Sequence, residues 1–140
     1  MVPLPNMDAF DAPTRDTSFT RRQRTNTPVQ ALVTMNDVQW LEAARHLAEN
    51  LLGEFPADED ARLRELGQRV LARDWRVEEK EILSQQLETF RATYIAEPES
   101  AMKLIAVGES KPSTDLPPAE LAAWMLVAST AFNLDAALNK

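Results

Sequence analysis

Arg21, Arg22 and Arg24 stand within four residues, and Asn26, Thr27 and Pro28 follow directly. Guanidinium groups at that density can grip an anion. A helix opening at Thr27 would set free backbone N–H groups and a positive dipole end behind them. The ligand class would be a phosphate, sulfate or carboxylate, held by Arg21, Arg22, Arg24 and Asn26. The same side chains have a second use. Arginine makes bidentate pairs with carboxylates, and residues 41–100 carry fourteen acidic side chains against eight basic ones. The cluster would then pin the N-terminal segment to the rest of the chain. The local acidic excess favours pinning over ligand capture.

The remaining candidates read more plainly as structure. His46 is the one histidine, and a general base needs a partner and a cleft. It falls on the polar side of a helical pattern with Glu42 one turn back, as an exposed side chain in a weak i,i+4 contact. The carboxylates come in runs, Asp58/Asp60, Glu78/Glu79/Glu81 and Glu97/Glu99. They sit at helix starts, where solvent and the dipole keep them ionised rather than raising one of them into a general acid. Trp40 and Trp124 fall on apolar stripes and read as core, whereas Trp75 follows Asp74 at a helix junction and is harder to place. Met35, Met102 and Met125 read as packing rather than haem ligands. No glycine-rich phosphate loop, serine elbow or metal-ligand spacing is present. No residue is assigned a catalytic role, and no metal or cofactor is assigned to this chain.

Composition narrows the classes further. The chain has 140 residues and no cysteine, which excludes disulfides, thiolate metal sites, covalent haem attachment and a cysteine nucleophile within it. A single histidine excludes a multi-histidine metal site. The net charge is −7, which disfavours nucleic acid and anionic membrane as general partners. No apolar run approaches the length of a membrane span. The first thirty residues have no signal-peptide core, and the opening Met1-Val2-Pro3-Leu4-Pro5 reads like the middle of a longer protein.

These groups must be held by helices. Residues 1–26 contain three prolines and little periodicity and read as an extended N-terminal arm. Met7, Phe10 and Phe19 are its anchors. Thr27, Pro28 and Gln30 form a capping box with proline at the first helical position, opening a short helix PVQALVTM. Asn36 or Asp37 caps a second, whose stripe is Trp40, Leu41, Ala44, Leu47, Ala48, Leu51 and Leu52. Gly53 is its expected stop. Glu42, Arg45, His46, Glu49 and Asn50 form its polar face. Further helices are expected near 58–73 (Leu63, Leu66, Val70, Leu71), near 77–95 (Leu83, Leu87, Phe90, Tyr94), and from Pro98 to Gly108. After a proline-rich loop a last one runs from about Pro118 to Asn133. Its LAAWMLVASTAF is apolar nearly all round and belongs at the centre. No strand alternation and no repeat is evident. The expectation is an all-α, irregular bundle of about six helices, with the arm at 1–26 and the bundle at 27–140.

Several blocks also carry a resemblance. FDAPTRD at 10–16, RRQRTNTPVQALVTMND at 21–37, EAARHLAE at 42–49, YIAEPESAMKLIAVGES at 94–110 and AELAAWMLVASTAFNLDAALNK at 119–140 occur in the order found in one uncharacterised family. The chain resembles the C-terminal part of the planctomycete-specific domains found with cytochrome c-type domains. It departs from that pattern in lacking the N-terminal half and in reading Ala136 where an acid often follows Asn-Leu-Asp. The resemblance implies an exported, extracytoplasmic, multidomain protein. Haem would lie on a neighbouring domain. The partners implied are the upstream half of the same protein or a cytochrome c-type domain. An anionic polysaccharide is a further candidate ligand for the arginines. The family supplies no catalytic residue to carry over. The leading reading is a non-catalytic structural or interaction module. The alternative is a polysaccharide-active or redox protein to which the arginines lend an anion site.

Overall fold

The helices start at side-chain caps or at prolines, and the first three end at a residue whose backbone leaves the right-handed helical region. The structure is a computed structural model and describes residues 37–134 together with Ala137. Among the described residues there are five helices and no strand: α1 (Val38–Glu54), α2 (Glu59–Leu71), α3 (Val77–Ala96), α4 (Pro98–Ile105) and α5 (Pro118–Phe132). The short helix expected at 28–35 lies outside the described residues, as does the arm at 1–26.

Asp37 caps α1, its carboxylate accepting the Gln39 N–H at 2.8 Å. Asp58 caps α2 in the same way, accepting from the Ala61 N–H at 2.9 Å. These side chains satisfy donors that a helix start leaves unpaired. At α3, Glu79 reaches back to the Arg76 N–H at 2.8 Å. α4 and α5 each begin at a proline, whose missing N–H would be unpaired there anyway.

Two stops differ from expectation. α1 runs through Gly53 to Glu54 and ends at Phe55, with φ −128° and ψ 66°. Phe55 precedes Pro56, and a residue before proline is pushed out of the helical region, so the proline does the work expected of the glycine. α4 ends at Ile105 rather than Gly108. Gly108 instead takes φ 108° in the following loop, a conformation that costs other residues heavily.

α5 is the centre, with the other four helices packed around it. Leu121, Trp124, Met125 and Val127 are fully buried, and Ala122, Ala123, Ala128 and Ala131 let neighbouring backbones approach. The stripes of α1, α2 and α3 supply the opposing wall through Leu51, Leu63, Leu66, Leu83 and Leu87. Side chains of that size contribute about 1.5–3 kcal/mol each on burial. Trp40 meets Phe132 edge-on, with ring centroids 5.8 Å apart. Trp75 finds its place too: its Nε1–H donates to the Leu63 carbonyl at 2.6 Å. Met125 is buried, whereas Met102 is exposed.

Candidate functional site

Glu42, Arg45, His46 and Glu49 share one side of α1 because positions three and four apart face the same way. Sequence reasoning gives that side to solvent. The loop between α4 and α5 lies across it instead. Glu42 receives the Ser110 hydroxyl, the Ser110 N–H at 2.8 Å and the Glu109 N–H at 3.2 Å. Those donors, the hydroxyl foremost, hold its carboxyl down at about 2 from an ordinary 4.5. Glu49 accepts the Ser113 N–H at 2.9 Å. The loop is thus strapped to α1 at two points.

Arg45 contradicts the expected polar face most directly: it is 0% exposed. Its Nη1 donates to the Ile105 carbonyl at 3.0 Å, and its Nη2 to the Ser110 carbonyl at 3.0 Å and the Ser110 hydroxyl at 2.6 Å. Ile105 is the last residue of α4, where carbonyls lack helical partners and a cation complements the dipole. Glu42 stands 3.3 Å from Nη2. The guanidinium is therefore a buried cap for one helix, carried by another. A signal was available: Arg45 stands seven residues before the apolar Leu52 and so on nearly the same side of the helix.

Ser110, His46 and Glu49 have the connectivity of a hydrolytic triad. His46 Nε2 lies 2.8 Å from Ser110 Oγ, and Nδ1 lies 3.1 Å from Glu49 Oε2. Two further groups engage the same hydroxyl, however. Its one proton goes to Glu42, and it accepts an N–H from Arg45. A triad needs that proton directed at the imidazole. His46 is more engaged than the weak Glu42 contact expected for it, which is present at 3.9 Å.

A second polar cluster joins α2, α3 and α5. Arg91 donates to Glu120 from Nε and Nη2, both at 2.8 Å, to Glu59 at 2.9 Å and to Glu88 at 2.5 Å. Glu120 also accepts the Trp124 indole N–H at 3.0 Å. Arg91 beside it is the main cause of its lowered pKa. Arg62 lies over the Trp124 ring, 5.5 Å from its centroid. It donates to the Phe55 and Pro56 carbonyls, each at 2.6 Å, which closes the α1–α2 turn. The carboxylate runs behave as helix-terminus groups. Glu79 forms a two-pronged pair with Arg73 at 2.8 Å, which with the Arg76 N–H lowers it to about 2. Asp60 meets Lys80 at 2.9 Å.

Arg21, Arg22, Arg24 and Asn26 lie outside the described residues, so neither use of that cluster is decided. Among the described residues no group of three or more His, Cys, Asp or Glu side chains could hold a metal ion. No described helix is long and apolar enough to cross a membrane.

Fold and site together define an all-helical protein whose polar clusters tie loops to helices. The model of the family described as PSD1, a protein of unknown function (DUF1553), matches residues 1–87, and the chain belongs to that family. The match includes the arginine block and the EAARHLAE helix, while the blocks at 94–110 and 119–140 lie beyond it. No curated protein and no solved structure matches the chain.

Proposed function

We propose that this chain is a non-catalytic structural or interaction module of a larger extracytoplasmic multidomain protein. It packs against the upstream half of the same domain or against a cytochrome c-type domain, and any haem belongs to that neighbour. The planctomycete-type blocks support the setting.

The observation that carries the non-catalytic part is the state of Ser110. Among the described residues it is where serine, histidine and carboxylate meet, and Glu42 and Arg45 hold the hydroxyl as a structural link. Among the described residues the carboxylates with displaced acidity, Glu42, Glu79 and Glu120, are all displaced downward. A general acid at neutral pH needs the opposite displacement.

Two measurements test the proposal. The full-length product, cut at a protease site engineered ahead of residue 1, stays associated through gel filtration; separation of the pieces overturns the packing role. A fluorophosphonate probe leaves the intact chain unlabelled; labelling at Ser110 overturns the non-catalytic assignment.

A further inference from the structure

The turn between α2 and α3 breaks two local rules beside Trp75. Ala72 ends α2 in the left-handed region, at φ 56° and ψ 29°, where glycine is the usual residue. Gly67 stands inside α2, and a Cβ there would meet Trp75 Nε1 at 2.9 Å. The bare glycine lets the turn fold back until the indole N–H reaches the Leu63 carbonyl. Strained positions of this kind gather where a side chain is held ready for a ligand.

The indole so held lines a pocket of about 180 Å³ with Asp60, Arg64, Asp74 and Lys80. Asp60 and Lys80 pair with each other at 2.9 Å, and an ammonium keeps further N–H donors after one pairing. Asp74 accepts from the Gln68 amide through Oδ1 at 2.9 Å. Among the described residues its Oδ2 has no donor, and the Arg64 guanidinium has neither a hydrogen bond nor an ion pair. Arg64 and Asp74 therefore share a small pocket without meeting. The pocket offers free donors, a free acceptor and an aromatic ring.

Those groups select against a simple ion. An anion that approaches Arg64 meets Asp60 and Asp74, and a cation that approaches the indole meets Arg64 and Lys80. A neutral ring with hydroxyls at its edge suits every group at once, since each hydroxyl both donates and accepts. Its C–H face covers the indole, where apolar area is the source of the gain. A zwitterion addresses the same two charges, but both are exposed, and exposed pairing is worth little against water. The volume lies below the roughly 300–1,000 Å³ of drug-sized sites, so one ring fits rather than several.

We propose that this pocket binds one uncharged pyranose unit of a glycan, with the sugar's C–H face on Trp75 and its hydroxyls on Arg64 and Asp74. The site stands apart from the packing role of the module, and either can fail without the other.

The chain has three tryptophans, so indole N–H signals in a proton–nitrogen NMR spectrum separate the site from the core. The full chain is titrated with the methyl glycosides of glucose, galactose, mannose and xylose. At least one of them moves the Trp75 signal saturably in the millimolar range, while the Trp40 and Trp124 signals stay in place. Arg64→Ala and Asp74→Ala, both at exposed positions, leave the thermal melt unchanged and weaken that binding about fivefold each, as loss of one hydrogen bond would. No saturable shift with any of the four sugars overturns the proposal. So does an equal shift with acetate, ethylammonium or free glycine, which would give the pocket to an anion, a cation or a zwitterion. Sugar binding that survives both replacements undiminished also overturns it, because another surface would then hold the sugar.

Discussion

A Cβ placed on Gly108 would lie 2.6 Å from the Glu42 carboxyl carbon and 2.9 Å from the Glu42 Cβ. The strap depends on that closeness, because it lets the Glu109 and Ser110 N–H groups converge on one carboxylate. The residue also sits at φ 108°, so a side chain there meets strain and collision together. Gly108→Ala is expected to cost about 2 kcal/mol. Denaturant midpoints check this, and the cost should shrink in a Glu42→Ala background, where the carboxyl is gone. An equal cost in both backgrounds would leave only the backbone strain.

Arg45 is the buried link of the same assembly. Arg45→Met keeps much of the volume but strips partners from the Ile105 and Ser110 carbonyls. The expected loss is about 3 kcal/mol, as for removing one member of a buried charge network. Arg45→Lys recovers only part of it, because one ammonium cannot imitate a fork that reaches both carbonyls. Hydrogen exchange at residues 109–113 should accelerate more than in the α2–α3 region. Uniform acceleration across all helices would refute a local strap.

Acid should loosen the fold in a defined window. Glu42 and Glu79 each drop from 4.5 to about 2 in the folded chain. A carboxylate whose pKa is lower when folded stabilises the native state above its unfolded pKa. That contribution is present above about pH 4.5 and fades as pH falls toward 2. Stability measured in urea should therefore fall steadily between these limits. Glu42→Gln should be less stable at pH 6 and show a shallower fall. A variant parallel to the parent at every pH would remove Glu42 from the linkage.

The helices are legible in the sequence because apolar spacing and caps are local properties. Asp37, Asp58, Pro98 and Pro118 mark real starts, and the all-round apolar character of 121–132 places that helix at the centre. The strap is not legible, because it joins Glu42 to Ser110 across 68 residues, and no periodicity reports such a pairing. Arg45 escapes sequence reasoning for a related reason. Its charge suggests solvent, while its burial depends on carbonyls that only the folded loop brings to it. Gly53 reads as a stop from its residue type, although the following Phe55-Pro56 pair imposes the end.

Two glycines inside helices make opposing tests of the same propensity. Replacing glycine by alanine in a helix gains up to about 1 kcal/mol where space allows. A methyl group on Gly53 would meet no atom within 4 Å, so Gly53→Ala should raise stability by about half a kcal/mol or more. Gly67 faces Trp75 Nε1 at 2.9 Å, the Arg73 carbonyl at 3.0 Å and Trp75 Cε2 at 3.1 Å. A methyl there has to displace the indole that donates to Leu63 or move the turn after α2. Losing that hydrogen bond costs about 1 kcal/mol, and the displaced packing adds to it. Gly67→Ala should then be net destabilising by about 1 kcal/mol despite the helical gain. Thermal melts of the two variants should shift in opposite directions. A shift upward in both would mean that the Trp75 contact yields freely and does not hold the α2–α3 turn.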